Sequence, residues 1–177
     1  MGQQDEIFDL VAPPKMKKEG DLFAHCAIAA PSCGEIRWDY DIVRALVEEL
    51  AEQYSIDRNR IYLTGISIGG MATWHEAIRN PDLFAAIVPI CGAGDPWNAF
   101  RISAIPCWAF HGRKDPVVPV EVTESMIEAV TNSGGNPKIT IYEDEEHNIW
   151  GRAYQTEELW SWLFSQSKAQ QDSGGNG

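Results

Sequence analysis

Basic charge is scarce in this sequence: 14 lysines and arginines face 26 aspartates and glutamates, for a formal net charge of −12 over 177 residues. Nucleic acid and anionic membrane surfaces would repel such a chain, so neither is expected as a partner. Long apolar runs are lacking too. None approaches the roughly 18 residues of a membrane span, and the opening Met1-Gly2-Gln3-Gln4-Asp5-Glu6 has neither the basic nor the apolar region of a signal peptide. A cytoplasmic location is the default expectation. Cysteine is sparse: Cys26, Cys33, Cys91 and Cys107 are spread out with no C-x-x-C pair and no matching histidine spacing, which predicts no metal site. Cys26, Cys91 and Cys107 lie in or beside apolar runs and read as small buried core residues, with a Cys26 to Cys33 bridge as the alternative. There is no internal repeat.

What is present fits a single domain over residues 1–166, large enough for one core, followed by a polar, Gly-rich tail from Ser167 to Gly177 that reads as disordered. Residues 1 to 21 are polar and broken by Pro13-Pro14, allowing at best one short element. Leu22 to Ala30, an apolar run closed by Pro31, predicts a buried strand. From Asp39 to Tyr54, Ile42, Leu46, Leu50 and Tyr54, with Val43 and Val47 beside them, form one helical stripe, with Asp39 or Asp41 as cap. Further strands are expected at Arg60 to Thr64, Ala85 to Ile90, Ile105 to Phe110 and Lys138 to Tyr142, and helices at Met71 to Ile78, Val120 to Asn132 and Gln155 to Ser165. Strands alternating with helices imply an α/β fold, a mostly parallel sheet covered by helices on both faces, with ligands at the carboxyl ends of its strands.

Within that frame, Gly65-Ile66-Ser67-Ile68-Gly69 joins a predicted strand to a predicted helix. A G-x-S-x-G sequence in this setting reads as a nucleophile elbow, a sharp turn that lifts the Ser67 hydroxyl above the sheet. The N–H groups at the start of the helix, Ile68 in particular, then point to where a substrate oxyanion would form. Without the flanking elements the motif is short enough to be a chance Gly-rich turn.

A serine hydroxyl needs a base, and the base needs a group to fix its tautomer. His25 falls inside a predicted strand and reads as a packed residue, and His75 lies about two turns past Ser67, too far along the helix to reach back. His111 ends a strand and reads as a structural residue orienting its loop. His147, in a polar loop after the last strand, occupies the place of the base in the order serine, acid, histidine. Asp115, held between Lys114 and Pro116, is the acid. Asp95 competes, but helix capping or turn formation explains it as well, and Asp144, Glu145 and Glu146 read as a solvated acidic loop.

Three segments in order, DRNRIYLTGISIGGMATWHEAIRNPDLFAAIVPICGAGDP, IPCWAFHGRKDPVVPV and EEHNIW, resemble the α/β-hydrolase superfamily. Within it they are most similar to carboxylesterases and to feruloyl-esterase-like or polyhydroxybutyrate-depolymerase-like enzymes, related to the prolyl oligopeptidase and dienelactone hydrolase branches. The likeness runs from about Asp57 to Trp162 and weakens back to Pro13. It implies a Ser67, Asp115, His147 triad acting on carboxylic esters without a cofactor. Two departures stand out. Most members carry, before the region matching Pro13 to Ala30, a strand ending in an HG-type loop that supplies the first oxyanion N–H, and no such strand is seen here. Glu146 also stands before the base where many relatives have glycine. In the family's sheet that strand lies between the one resembling Leu22 to Ala30 and the Arg60 strand; direct pairing of these two, a homodimer, or a chain that is a piece of a longer protein would account for its absence, the first two being favoured, and the Ser32 to Trp38 loop would be the substitute donor.

Trp38, Trp97 and Trp150 fall in loops after strands and are candidates to wall an acyl or aryl pocket, whereas Trp74, Trp108, Trp160 and Trp162 read as packing residues. The sequence thus predicts a serine carboxylesterase for a small ester, short-chain or aryl. A peptidase or thioesterase with the same triad, and a catalytically impaired hydrolase-like binding protein, are the alternatives.

Overall fold

The computed structural model describes residues 26–30 and 41–171. Strands β1 (Tyr62–Ile66), β2 (Ala86–Ile90), β3 (Trp108–Gly112) and β4 (Lys138–Tyr142) form one parallel sheet in the order β1-β2-β3-β4. Tyr62 stands opposite Ala86 and Ile66 opposite Ile90, while Trp108 stands opposite Lys138. Parallel neighbours need crossovers. Here these are α2 (Ile68–Arg79), a 3-10 helix (Pro96–Ile102) and α3 (Val120–Asn132), with α1 (Asp41–Gln53) ahead of the sheet. The chain closes with α4 (Trp150–Tyr154), α5 (Glu157–Ser165) and α6 (Lys168–Gln171).

Side-chain alternation divides the core between the two faces of the sheet. Ile87, Cys107 and Ala109 point to one face and pack with Trp74, Ala77 and Ile78 of α2, Ala99 and Ile102 of the 3-10 helix, and Met126 and Val130 of α3. Ala86, Val88, Ile90, Trp108 and Phe110 point to the other, against Ala153 and Tyr154 of α4 and Leu159, Trp160 and Leu163 of α5. All the crossovers therefore lie on one side, and the C-terminal helices cover the other. Both central strands are buried throughout, as a parallel sheet requires. Each fully buried large side chain contributes about 1.5–3 kcal/mol.

The backbone is closely packed where β1 turns into α2. Ser67 has φ 53 and ψ −113, and its N–H donates to Ile90 O at 2.8 Å while its carbonyl accepts from Met71 N at 2.9 Å. A Cβ on Gly65 would run into the Gly69 carbonyl, so this first glycine of the motif is needed for the close approach of strand and helix. The second, Gly69, faces open space. It is Gly70, outside the motif, that lies against Ile90 and Gly92 at the end of β2.

Several expectations are corrected. Residues 26–30, the described part of the expected strand Leu22 to Ala30, are neither in a strand nor buried, and they do not pair with β1. Three of these five residues are alanines, which offer little apolar area to drive docking. Cys26 is accordingly exposed, while Cys91 and Cys107 are buried as expected. On α1 the stripe is narrower than its periodicity suggests: Ile42 and Tyr54 are exposed, and Val43 and Val47 carry the packing. The expected tail from Ser167 begins in order, with Ser167 buried, Lys168–Gln171 helical, and the Lys168 ammonium donating to Asp82 O at 2.8 Å. His25, Cys33, Asp39 and the Ser32 to Trp38 loop lie outside the described residues. No described helix is long and apolar enough to cross a membrane.

Phe84, 1% exposed in the core beneath α2, is expected to cost about 3–5 kcal/mol when changed to alanine. Urea unfolding followed by far-UV circular dichroism measures this, and a loss below about 1 kcal/mol would contradict the packing.

Candidate active site

Each strand of the sheet delivers one loop to the same edge, and three of these loops bring Ser67, Asp115 and His147 together. Ser67 follows β1 in a left-handed conformation that a non-glycine residue adopts at a cost of order 1–3 kcal/mol. Asp115 follows β3 in a turn whose own N–H groups it caps: its Oδ1 accepts from Val117 N at 2.8 Å and Val118 N at 2.9 Å. His147 follows β4. Its loop is drawn against the β3 loop by two backbone bonds, Arg113 N to Tyr142 O at 3.0 Å and Lys114 N to Glu145 O at 2.9 Å. Gly112 makes that contact close, since a Cβ there would collide with the Glu146 carbonyl.

The three side chains form a continuous row. His147 Nδ1 lies 2.6 Å from Asp115 Oδ2, and Nε2 lies 2.9 Å from Ser67 Oγ. An ionised carboxylate only accepts, so Nδ1 carries the proton and Nε2 is left to accept the Ser67 hydroxyl. Burial by itself would raise the Asp115 carboxyl. The hydrogen bonds from His147 and from the N–H groups of Val118 and Val117 outweigh that penalty and hold it below the ordinary carboxylate range. The acid thus stays charged beside an imidazole whose ring is only 18% exposed.

A model of the phospholipase/carboxylesterase family matches residues 35–158. The chain belongs to that family. It is 29% identical over 90 residues to a bifunctional acetylxylan esterase/xylanase of Neocallimastix patriciarum, covering 50% of this chain and 13% of that protein. It is likewise 29% identical over 100 residues to a poly(3-hydroxyalkanoate) depolymerase C of Paucimonas lemoignei, covering 56% of this chain and 24% of that protein. The chain therefore spans at most about a quarter of these two relatives. Among solved structures, a thermostable esterase superposes with a TM-score of 0.69 at 41% identity, over 71% of this chain and 36% of that one. The parallel sheet with helices on both faces is accordingly the α/β-hydrolase architecture expected from the sequence.

The remaining candidates divide. Ile68 opens α2, so its N–H is among the first-turn donors that have no carbonyl within the helix. Trp150 opens α4 with its ring edge-on to His147, 6.2 Å between centroids. Trp97 stands 90% exposed on the 3-10 helix, with almost no protein surface against it. Trp38 lies outside the described residues. Asp95 caps the 3-10 helix, accepting from Trp97 N at 3.1 Å and Asn98 Nδ2 at 2.7 Å, which accounts for it without a role in the row. Asp144 and Glu145 pair with Lys114 and Arg152, in keeping with a solvated acidic loop.

One feature of the edge was not visible in the sequence. Cys91 also has a positive φ, 48°, and its thiol donates to the His147 carbonyl at 3.3 Å, tying His147 to the end of β2. Burial pushes that thiol up to about 12, so it stays neutral. Cys91, His111 and Asp115 bring ligand atoms within 4.8 Å of one another. Both ring nitrogens of His111 and both oxygens of Asp115 have protein partners there, so the group reads as a hydrogen-bonded cluster.

Because the folded value of Asp115 lies below its unfolded value of about 3.9, its charge contributes stability above that pH and loses it as pH falls through the folded value. The difference in unfolding free energy between the native chain and Asp115→Asn should therefore be largest near neutral pH and shrink below about pH 4. Urea unfolding at pH 6 and pH 3 checks this, and an unchanged difference would contradict the charged acid.

Proposed function

We propose that the chain is a serine carboxylesterase in which Ser67 is the nucleophile, His147 the general base and acid, and Asp115 the group that fixes and supports the imidazole. The row of hydrogen bonds at 2.9 and 2.6 Å, mounted on a left-handed serine at a strand-to-helix turn, carries the reading. Membership of the phospholipase/carboxylesterase family and likeness to proteins named as esterases and a depolymerase support it.

The chemistry follows from the donor and acceptor pattern. His147 Nε2 takes the hydroxyl proton as Ser67 Oγ attacks the ester carbonyl carbon. The imidazolium so formed is stabilised by the Asp115 carboxylate at Nδ1, and the oxyanion of the tetrahedral intermediate faces the Ile68 N–H at the positive end of α2. Collapse expels the alcohol with the proton from Nε2 and leaves an acyl-serine, which water cleaves by the same steps. A single oxyanion donor is typically worth about a hundredfold to a thousandfold in rate. Ile68 and Val117, next in sequence or nearly so to the reacting residues, expose apolar side chains, and Trp150 flanks the base. These surfaces suit a short acyl or aryl group.

With p-nitrophenyl acetate as substrate, Ser67→Ala should lower kcat by about 10⁴-fold or more while leaving the far-UV spectrum and melting temperature intact. A folded variant that turns over at a rate close to the native one would overturn the assignment.

A further inference from the structure

His111 plays no part in the proton path just described, yet it is completely buried and lies against the acid. Its Nε2 is 2.9 Å from Val118 O and 3.1 Å from Asp115 Oδ2, the oxygen that also meets His147. Val118 O can only accept, so Nε2 carries a proton. Nδ1 lies 2.7 Å from the Thr123 hydroxyl of α3, which itself sits 3.2 Å from Gly92 O. The Thr123 hydroxyl donates to Gly92 O, so it holds the ring at Nδ1 from α3, and the proton on Nε2 is set by Val118 O.

The consequence for the acid is twofold. By bonding Val118 O, His111 fixes the peptide unit at the end of the turn whose N–H groups hold Asp115 Oδ1. By presenting the same N–H edge to Oδ2, it places a second positive dipole on the oxygen that His147 uses. A carboxylate enclosed in this way is approached at both oxygens, with the imidazoles of His147 and His111 2.6 and 3.1 Å from Oδ2.

We propose that His111 is a positioning residue for the acid, a second histidine whose Nε2–H aims Asp115 and moderates its pull on His147, with Thr123 holding its ring at Nδ1. The proposal rests on the reading of Ser67, His147 and Asp115 as the reacting row. Removing the Nε2–H leaves Oδ2 a stronger acceptor for His147, which stabilises the imidazolium and moves the acid limb of the kcat/KM profile to higher pH. Other groups facing the pair do not obscure this. The Cys91 thiol from the end of β2 stays neutral; of the charged side chains nearby, Lys114 pairs with Asp144, Arg152 with Glu145, and Arg113 with Glu124 and Glu143, while Glu146 beside His147 is common to the native chain and both variants below.

The test compares His111→Leu, which keeps the approximate volume without the donor, with His111→Gln, whose Nε2 can restore it. The leucine variant should lose about tenfold to a hundredfold in kcat with KM little changed, and its acid limb should rise. The glutamine variant should recover most of the rate and bring the limb back. A leucine variant with native kcat and limb would overturn the proposal, as would a loss in both variants with the limb unmoved, the pattern of a merely structural role. Independently of how the leucine variant folds, long-range ¹H–¹⁵N correlation spectra of the labelled native chain give a second reading: a proton on His111 Nε2 supports the proposal and a bare Nε2 overturns it. Failure of the hydrolase reading would show instead as native turnover in Ser67→Ala, with the spectra unaffected.

Discussion

A charged carboxylate cannot be buried unless its lone pairs are met, and the candidate site is built around meeting that demand at Asp115. Two backbone N–H groups from its own turn occupy Oδ1, and His147 occupies Oδ2 with His111 beside it. Each of these partners is held in turn by something else: Val118 by His111, His111 by Thr123 on α3, and the backbone of His147 by Cys91 at the end of β2. Asp115 is therefore the point at which β2, β3, β4 and α3 become one structure. Once the carboxylate is saturated and ionised, the tautomer of His147 follows, and with it the availability of Nε2 to Ser67.

The sheet supplies the distances. Parallel strands in consecutive order place all their carboxyl ends on one edge, so loops far apart in sequence converge without any long excursion of the chain. The crossovers lie on one face and the closing helices on the other, with Trp150 of the closing layer beside His147. Strain is confined to two residues of the edge, Ser67 and Cys91, the non-glycine residues with positive φ among those described. The packing of Gly70 against Ile90 and Gly92 brings these two sharp turns side by side.

Much of this was legible in the chain itself. The boundaries of α3 and β4 match the periodicity reading to the residue, because a helix ended by Ser-Gly-Gly and a short alternating strand carry strong local signals. Ser67, Asp115 and His147 could be picked out by residue type, spacing and order, and the structure brings the three side chains into hydrogen-bond contact. What could not be read depended on contacts between distant segments. Gly70 matters through β2, 20 residues on at Ile90, and nothing in G-x-S-x-G points to it. The partners of His111 come from Val118 and from α3, so the sequence offered only a histidine at the end of a strand. Ile42 and Tyr54 fit a helical period yet remain exposed, because one sits in the first turn of α1 and the other beyond its end. The strand expected over Leu22 to Ala30 failed in its described part for a related reason, since apolar composition gives a propensity for burial but not a surface to be buried against.

The central claim, that the strained serine is activated by the histidine and aspartate beside it, is tested most directly by covalent capture. The chain would be incubated with a fluorophosphonate at pH 8, digested, and the adduct located by mass spectrometry, alongside His147→Ala. Stoichiometric labelling at Ser67 that falls at least about a hundredfold in rate in the variant is the predicted result, since phosphonylation needs the same base-assisted nucleophile as acyl transfer. Labelling spread over other serines, or labelling of Ser67 at the same rate without His147, would contradict it.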